Sequence, residues 1–230
     1  MDSKNKINNS LENLRFAVLA TDVVCFRMIN NQLSVLLSKT SSTSIFSGKW
    51  ALVGGLILEK ETAEQSAERH LLEKAGINNV YKEQLYTFSD IGRDPRNRVV
   101  SVAYMALASN DPQDLTKAKV ETKWLPVNDL PVLAYDHNQI VKVAIDRLRS
   151  KIGYTNIAQY LLPEEFTLSD LQAVYETLIG ETLDKRNFRR KILDVDILID
   201  TKHTRKQGVM RPATLYKFSN SKKPKLVNIL

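Results

Sequence analysis

The chain has 230 residues, 43% hydrophobic and 26% charged, an ordinary globular balance that is long enough for one large domain or two small ones. No apolar run approaches the ~20 residues that span a bilayer, and the start MDSKNKINNSLEN lacks the apolar stretch of an export signal, so a cytoplasmic protein without a membrane partner is expected. The net charge of +7 is uneven: the last 80 residues carry 14 Lys and Arg against 9 Asp and Glu, the first 150 carry 19 against 17, and a basic C-terminal third points to an acidic partner such as nucleic acid.

From residue 16 to about 129 the pattern is mostly strands. FAVLATDVVCFRM, QLSVLLSK, KWALVGGLI, EQLYTFSD, RVVSVAYMALA and ETKWLPV are rich in β-branched or aromatic residues and are separated by turn formers. The single Cys25, inside VVCF, reads as a buried structural thiol, and one cysteine with three scattered histidines permits no zinc-ligand spacing. Between the third and fourth strands a helix is predicted, capped by Thr62 with Gln65 closing a capping box and ended by Gly76. A second helix over about 137–152 places Ile140, Val143, Ala144, Arg147 and Leu148 along one stripe. These elements predict an α/β domain over 15–152, with a mixed sheet between helices.

The remainder changes character. Thr167-Leu-Ser-Asp170 is a second capping-box pattern, opening a helix whose apolar face is Leu168, Leu171, Val174, Tyr175 and Leu178 and which Gly180 ends. A short turn leads to a helix starting at Asp184, with Leu183 and Phe188 spaced as a hydrophobic staple. Then come ILID, a basic polar loop TKHTRKQGVMRP, and ATLYKF. Two close helices followed by a hairpin with a basic tip predict a winged helix-turn-helix over 153–218. The tails, 1–14 and 219–230, read as flexible.

The chemistry turns on GLILEKETAEQSAERHLLEKAGI, residues 55–77. Five residues separate Gly55 from Glu61 and seven separate Glu61 from Arg69, with Leu71, Glu73, Gly76 and Ile77 at further fixed offsets. This spacing resembles the box of the Nudix family, and WALVGG and RVVSVAYMAL resemble its ADP-ribose-binding branch. In active members of that family, the positions of His70 and Lys74 hold glutamates that bind Mg²⁺ beside the one at Glu73. Positions i, i+3 and i+4 share a helix face and can converge on a cation. Mg²⁺ requires hard oxygen ligands, whereas a protonated Lys74 has no lone pair and His70 is a softer nitrogen ligand. The expectation is a pocket without hydrolytic chemistry, with no catalytic residue and no metal ligand to assign. Glu61 and Arg69 remain for hydrogen bonding within the box.

Lys74 is able to attract a diphosphate without a metal. Further along, GRDPRNRVVSVAY crowds Arg93, Asp94, Arg96 and Arg98 into a turn before a strand. Arginine forks suit phosphate oxygens, and local ion pairs in a solvated hairpin are the alternative. The candidate ligand residues are Lys74, Arg93, Arg96, Glu73 and Arg69.

DKRNFRRKIL, residues 184–193, packs through Phe188 and Ile192 and sets Lys185, Arg186, Arg189 and Arg190 along one arc, with Asn187 beside them. Lys185 and Arg186 in the first turn oppose the helix dipole by ~0.3–1 kcal/mol each, a cost that makes sense for a recognition helix entering the major groove. The loop beyond adds Lys202, Arg205, Lys206 and Arg211, within reach of phosphates or the minor groove. No RRM-like aromatic pair or GXXG loop favours RNA.

Taken in order, the degenerate box, RDPR, LAYDH, FTLSDLQAVYETLIGETLDKRNFRRKIL and RPATLYKF resemble the Nudix-related transcriptional regulators of NAD metabolism, the NrtR group, over about residues 15–218. Met210 stands where that group usually has a glycine before Arg-Pro. The resemblance implies a Nudix-like α/β/α sandwich followed by a C-terminal winged helix-turn-helix. It also implies a homodimeric repressor on a palindromic double-stranded DNA operator, with ADP-ribose or a related nucleotide as effector and no required cofactor. A sister group of Nudix-type arabinose regulators shares much of the C-terminal wording, so a sugar effector stays open, as does a working Nudix hydrolase.

Overall fold

The computed structural model describes residues 17–109, 118–206 and 212–219, so Arg211, Met210 and the 1–14 and 220–230 tails lie outside the described residues. Six strands form one sheet in the order β4-β5-β1-β3-β2-β6: β1 (Val18–Ile29), β2 (Gln32–Lys39), β3 (Trp50–Leu56), β4 (Tyr81–Phe88), β5 (Val99–Leu107) and β6 (Thr122–Pro126). Only the β1–β5 pairing is parallel. β1 and β2 join through Asn30 and Asn31, both at positive φ, the two-residue turn whose twist suits a hairpin.

The central strand β1 is an unbroken apolar run because both of its faces are covered. Val24, Phe26 and Met28 enter a large core with helix α2 (His137–Tyr154), while Val23 and Cys25 enter a smaller core with helix α1 (Ala63–Ala75). Burial pushes the Cys25 thiol up to about 12, as expected of a structural thiol. Helix α1 has the predicted ends. Thr62 and Gln65 form a reciprocal capping box, and Gly76 takes the left-handed conformation at φ 68°.

Helix α2 differs in two respects. It runs on to Tyr154, and its buried stripe is His137, Ile140, Val141, Ala144, Leu148 and Ile152. Val141 replaces Val143 there, and Arg147 faces outward toward Glu83.

The winged unit follows the predicted frame. Helix α3 (Leu168–Ile179) starts in the Thr167–Asp170 capping box and ends at Gly180, burying the five predicted apolar residues. Helix α4 (Lys185–Asp194) is capped by Asp184, whose carboxylate accepts from the Asn187 N–H, and it buries Phe188 and Ile192. Strands β7 (Leu198–Arg205) and β8 (Ala213–Phe218) form the hairpin. The basic loop is therefore shorter than predicted, because Thr204 pairs with Thr214 and Arg205 with Ala213. Ser219 donates to Ile197 O at 2.8 Å, so the last described residue is tied to the fold.

The two units share one apolar core. The cluster that includes Val24 and Phe26 continues through Leu148 and Ile152 to Phe166, Tyr175, Phe188 and Ile192. At the seam, Thr177 donates to Asn31 O and Arg149 donates to Leu178 O, each at 3.0 Å.

Candidate functional site

An open cleft of about 550 Å³ lies where the N-terminal half of β1, the end of β3, the 93–97 turn and the start of α2 meet. Its volume falls within the range of small-molecule sites. Lys74, Arg93 and Arg96 all line it, so three of the five predicted ligand residues come together. Arg69 and Glu73 do not line it.

Arg69 is held by the box itself. Its Nε donates to Glu61 at 2.8 Å and an η nitrogen donates to Glu61 at 2.6 Å and to Leu56 O at 3.1 Å. This fork holds Glu61 down at about 2, and the Leu58 N–H adds to the effect. Glu73 lies outside the cleft lining, 3.8 Å from Arg69 and 3.9 Å from Lys119. Arg69 supports the loop that follows β3, through Glu61 and Leu56 O.

Helix periodicity sends position 74 inward instead. The Lys74 amine donates to Gly54 O, and burial lowers its pKa while Asp22 pulls it back up. Beside it the His70 ring is buried against Gly55, where an added Cβ would meet the ring's Cε1 at 2.7 Å. Burial, then Lys74 and Arg69, lower the His70 pKa. Gly54 is pressed as closely, since a Cβ there would lie 2.2 Å from Thr21 O and 2.7 Å from the Asp22 carboxylate. Among the described residues, no three His, Cys, Asp or Glu side chains are grouped so as to hold a metal ion. The Lys74 amine donates to Gly54 O, Glu61 accepts from Arg69, and Glu73 is half-exposed beside Arg69 and Lys119.

Opposite Lys74 lies a buried polar network absent from the sequence reading. Asp22 accepts from Ser101 Oγ at 2.6 Å and from an Arg93 η nitrogen at 3.0 Å, and His137 Nε2 lies 3.3 Å from its other oxygen. The Leu52 N–H donates to His137 Nδ1 at 2.9 Å, which leaves the proton of the neutral ring on Nε2, facing Asp22. Burial alone would raise the Asp22 pKa, but His137, Ser101 and Arg93 together hold it well below the carboxylate range. Arg93 also grips Asp136, Nε at 3.0 Å and an η nitrogen at 2.8 Å. Its side chain is only 4% exposed, so Arg93 is a structural cation as well as part of the cleft wall.

Arg96 is the accessible arginine, with its side chain 49% exposed. It forks onto Asp94 and donates to the Tyr135 hydroxyl at 3.0 Å. Tyr135 holds a positive φ of 55°, uncommon for a bulky residue, with Phe46 edge-on at 4.6 Å and the His137 ring at 5.2 Å. Arg98, by contrast, is spent on Ser89 O and Asp90 O.

At the other end of the molecule, Lys185, Arg186, Asn187, Arg189 and Arg190 are all exposed on α4. Arg190 donates to Asn187 Oδ1 at 2.8 Å, which orders two members of the arc, and Arg189 reaches Ser169 Oγ on α3 at 3.4 Å. Asp184 at the N-cap offsets part of the dipole cost of Lys185 and Arg186. On the hairpin Lys206 is exposed, Lys202 pairs with Asp200 at 3.1 Å, and Arg205 folds inward onto Asp170. The expected cluster of free cations at the wing is therefore smaller among the described residues.

Residues 18–148 match the Nudix domain model, and residues 158–218 match the NrtR DNA-binding winged helix domain. Over 207 residues the chain is 34% identical to the "ADPR responsive transcriptional repressor NtrR" of Acinetobacter baylyi, covering 88% of this chain and 82% of that one. The chain belongs to the NrtR family. Among solved NrtR structures, that of Shewanella oneidensis NrtR complexed with a 27mer DNA superposes with a TM-score of 0.80 at 39% identity, covering 87% of this chain and 93% of that one. The Nudix domain of the same NrtR, complexed with ADP ribose, gives 0.54 at 37% identity, covering 61% of this chain and 94% of that one. Among the described residues, no helix is long and apolar enough to cross a membrane.

Proposed function

We propose that this NrtR-family chain is a cytoplasmic transcriptional repressor of NAD-metabolism genes that binds a palindromic operator as a homodimer and senses ADP-ribose without hydrolysing it. The observation that carries this reading is the convergence of Lys74, Arg93 and Arg96 on one cleft, in a chain that also exposes Lys185, Arg186, Arg189 and Arg190 along one helix. Lys74 and Arg96 provide positive charge for a diphosphate, and Arg93 backs them from beneath. The Tyr135 ring, which lines the cleft and is held edge-on by Phe46, provides apolar surface for a nucleotide, which a pentose alone would not need.

Hydrolysis of a diphosphate in this fold needs clustered metal ions to activate water and polarise phosphorus, and the donors at positions 61, 70, 73 and 74 are committed otherwise. The α4 arc supplies contacts to phosphates and base edges of duplex DNA, with Lys206 and Arg211 as wing contacts.

A thermal-shift screen with ADP-ribose, NAD, nucleoside diphosphate sugars and pentoses tests the reading. Ligand at ~100 times its Kd stabilises by about 2.7 kcal/mol, so ADP-ribose is expected to raise the melting temperature where arabinose does not. A shift with the pentose alone would contradict it.

A further inference from the structure

The first turn of α3 touches both DNA-facing elements of the winged unit. Ser169 receives Arg189 from α4 at 3.4 Å, and Asp170 receives Arg205 from β7. The same Asp170 oxygen is also fixed by the capping box, accepting from the Thr167 N–H at 2.8 Å. It is a rigid acceptor rather than a roaming surface carboxylate.

The wing is anchored at its base by a two-way bridge, Phe166 N–H to Tyr216 O at 3.0 Å and Tyr216 N–H to Phe166 O at 2.8 Å. Beyond the base the ladder is broken. The β7–β8 register shifts between Asp200 and Thr204, and Lys202 within the break has a left-handed φ of 64°. A bulge bends and twists a hairpin, so the direction of the wing past it is not set by the base. Two side-chain ties cross back to the α3 side: His203 to Glu165 at 3.0 Å, inside the bulge, and Arg205 to Asp170, beyond it. Arg205 is the outer tie: its η nitrogen is on Asp170 and its Nε is buried, although the side chain as a whole is 36% exposed.

We propose that Arg205 is a positioning residue for DNA binding rather than a phosphate contact: through Asp170 it sets the angle of the wing against α4. This inference rests on the DNA-binding reading. It reverses the sign expected from charge alone, because removing the Asp170 carboxylate raises the net positive charge of a DNA-facing unit and yet weakens binding.

The test uses the full chain and a fluorescent duplex of mixed sequence, ~30 base pairs or about three helical turns, titrated over a series of salt concentrations. Asp170→Asn retains an oxygen for the Thr167 N–H but loses the ion pair, and Arg205→Gln loses it from the other side. Each is expected to weaken binding by roughly 2–5-fold, the scale of a partly exposed ion pair, with the slope against salt unchanged. Combining them is expected to cost no more than either alone. The proposal is overturned if Asp170→Asn leaves affinity equal or tighter. It is also overturned if Arg205→Gln makes the salt slope shallower by about 0.9, the signature of one lost phosphate contact. Should Asp170→Asn fail to fold, the salt slope of Arg205→Gln decides alone. A wild-type chain that binds no duplex would instead remove the DNA-binding reading on which the proposal stands.

Discussion

Arg93 holds the carboxylate of Asp136 with two nitrogens, at 3.0 and 2.8 Å, and Asp136 is the N-cap residue of α2. Aspartate is among the best helix caps, yet here its side chain caps nothing because both oxygens serve Arg93. Helix α2 then runs 18 residues, about 27 Å, to the seam with the winged unit, where Arg149 donates to Leu178 O. An anion in the cleft that draws on Arg93 competes with Asp136 and so acts on the end of a rod that reaches the DNA-binding half. Asp136→Asn is therefore expected to keep ADP-ribose and DNA binding but shrink their coupling from a typical 5–150-fold toward unity. Operator affinity measured with and without saturating ADP-ribose checks this, and an unchanged ratio would speak against α2 as the link.

The same arginine carries a stability prediction. Arg93 is a buried cation shared by Asp22 and Asp136, so Arg93→Ala strips two poorly exposed carboxylates of their guanidinium, leaving Asp22 only Ser101 and His137. A loss of ~3–5 kcal/mol is expected, read from chemical denaturation. A variant as stable as the parent would mean that Arg93 serves only the ligand.

Acid should weaken the fold through His70. Burial keeps its ring neutral below the ordinary pKa of about 6.5, so from that value downward the unfolded chain takes up a proton that the folded chain refuses. Stability present above pH ~6.5 is then lost progressively as the pH falls toward the lowered folded value. Melting temperatures between pH 7.5 and 5.5 are expected to drop in the wild type and to drop less in His70→Asn. Parallel curves would place the sensitivity elsewhere.

On α4, Arg189→Ala and Arg190→Ala are expected to weaken operator binding by ~1–3 kcal/mol each where the guanidinium reads a guanine edge. Where it touches phosphate, affinity falls on all sequences and the salt dependence becomes shallower. Full affinity after replacing Lys185, Arg186, Arg189 and Arg190 together, in a folded protein, would dismiss α4 as the recognition helix.

Much of this architecture was legible because its signals are local. The Thr62–Gln65 and Thr167–Asp170 boxes, Gly76, Gly180 and the α4 stripe each follow from residues within one helical turn. The cleft was half legible. Lys74, Arg93 and Arg96 stand out as charges out of place, but nothing in the sequence says that Arg69 and Glu73 lie outside the cleft wall that Lys74 joins. The buried network was missed because its members lie far apart in the chain and meet only across the sheet: Asp22 on β1, Ser101 on β5, and Asp136 and His137 at α2. An aspartate inside the apolar run ATDVVCF was the signal available, since a carboxylate in a strand covered on both faces requires partners. The contact of Arg205 with Asp170 had no such signal, because the two lie 35 residues apart and meet only where the hairpin folds back on α3.

The central claim, that one chain reads ADP-ribose in its cleft and answers through DNA, is tested most directly by calorimetric titration of ADP-ribose with and without saturating operator DNA. Linkage is reciprocal, so a ligand that releases DNA must itself bind more weakly to the DNA-bound protein, by the same factor. The account predicts tighter binding to the free protein and a blunted difference in Lys74→Ala, which still binds DNA. Equal affinities in the two titrations, or no heat from ADP-ribose while a pentose releases the DNA, would contradict it.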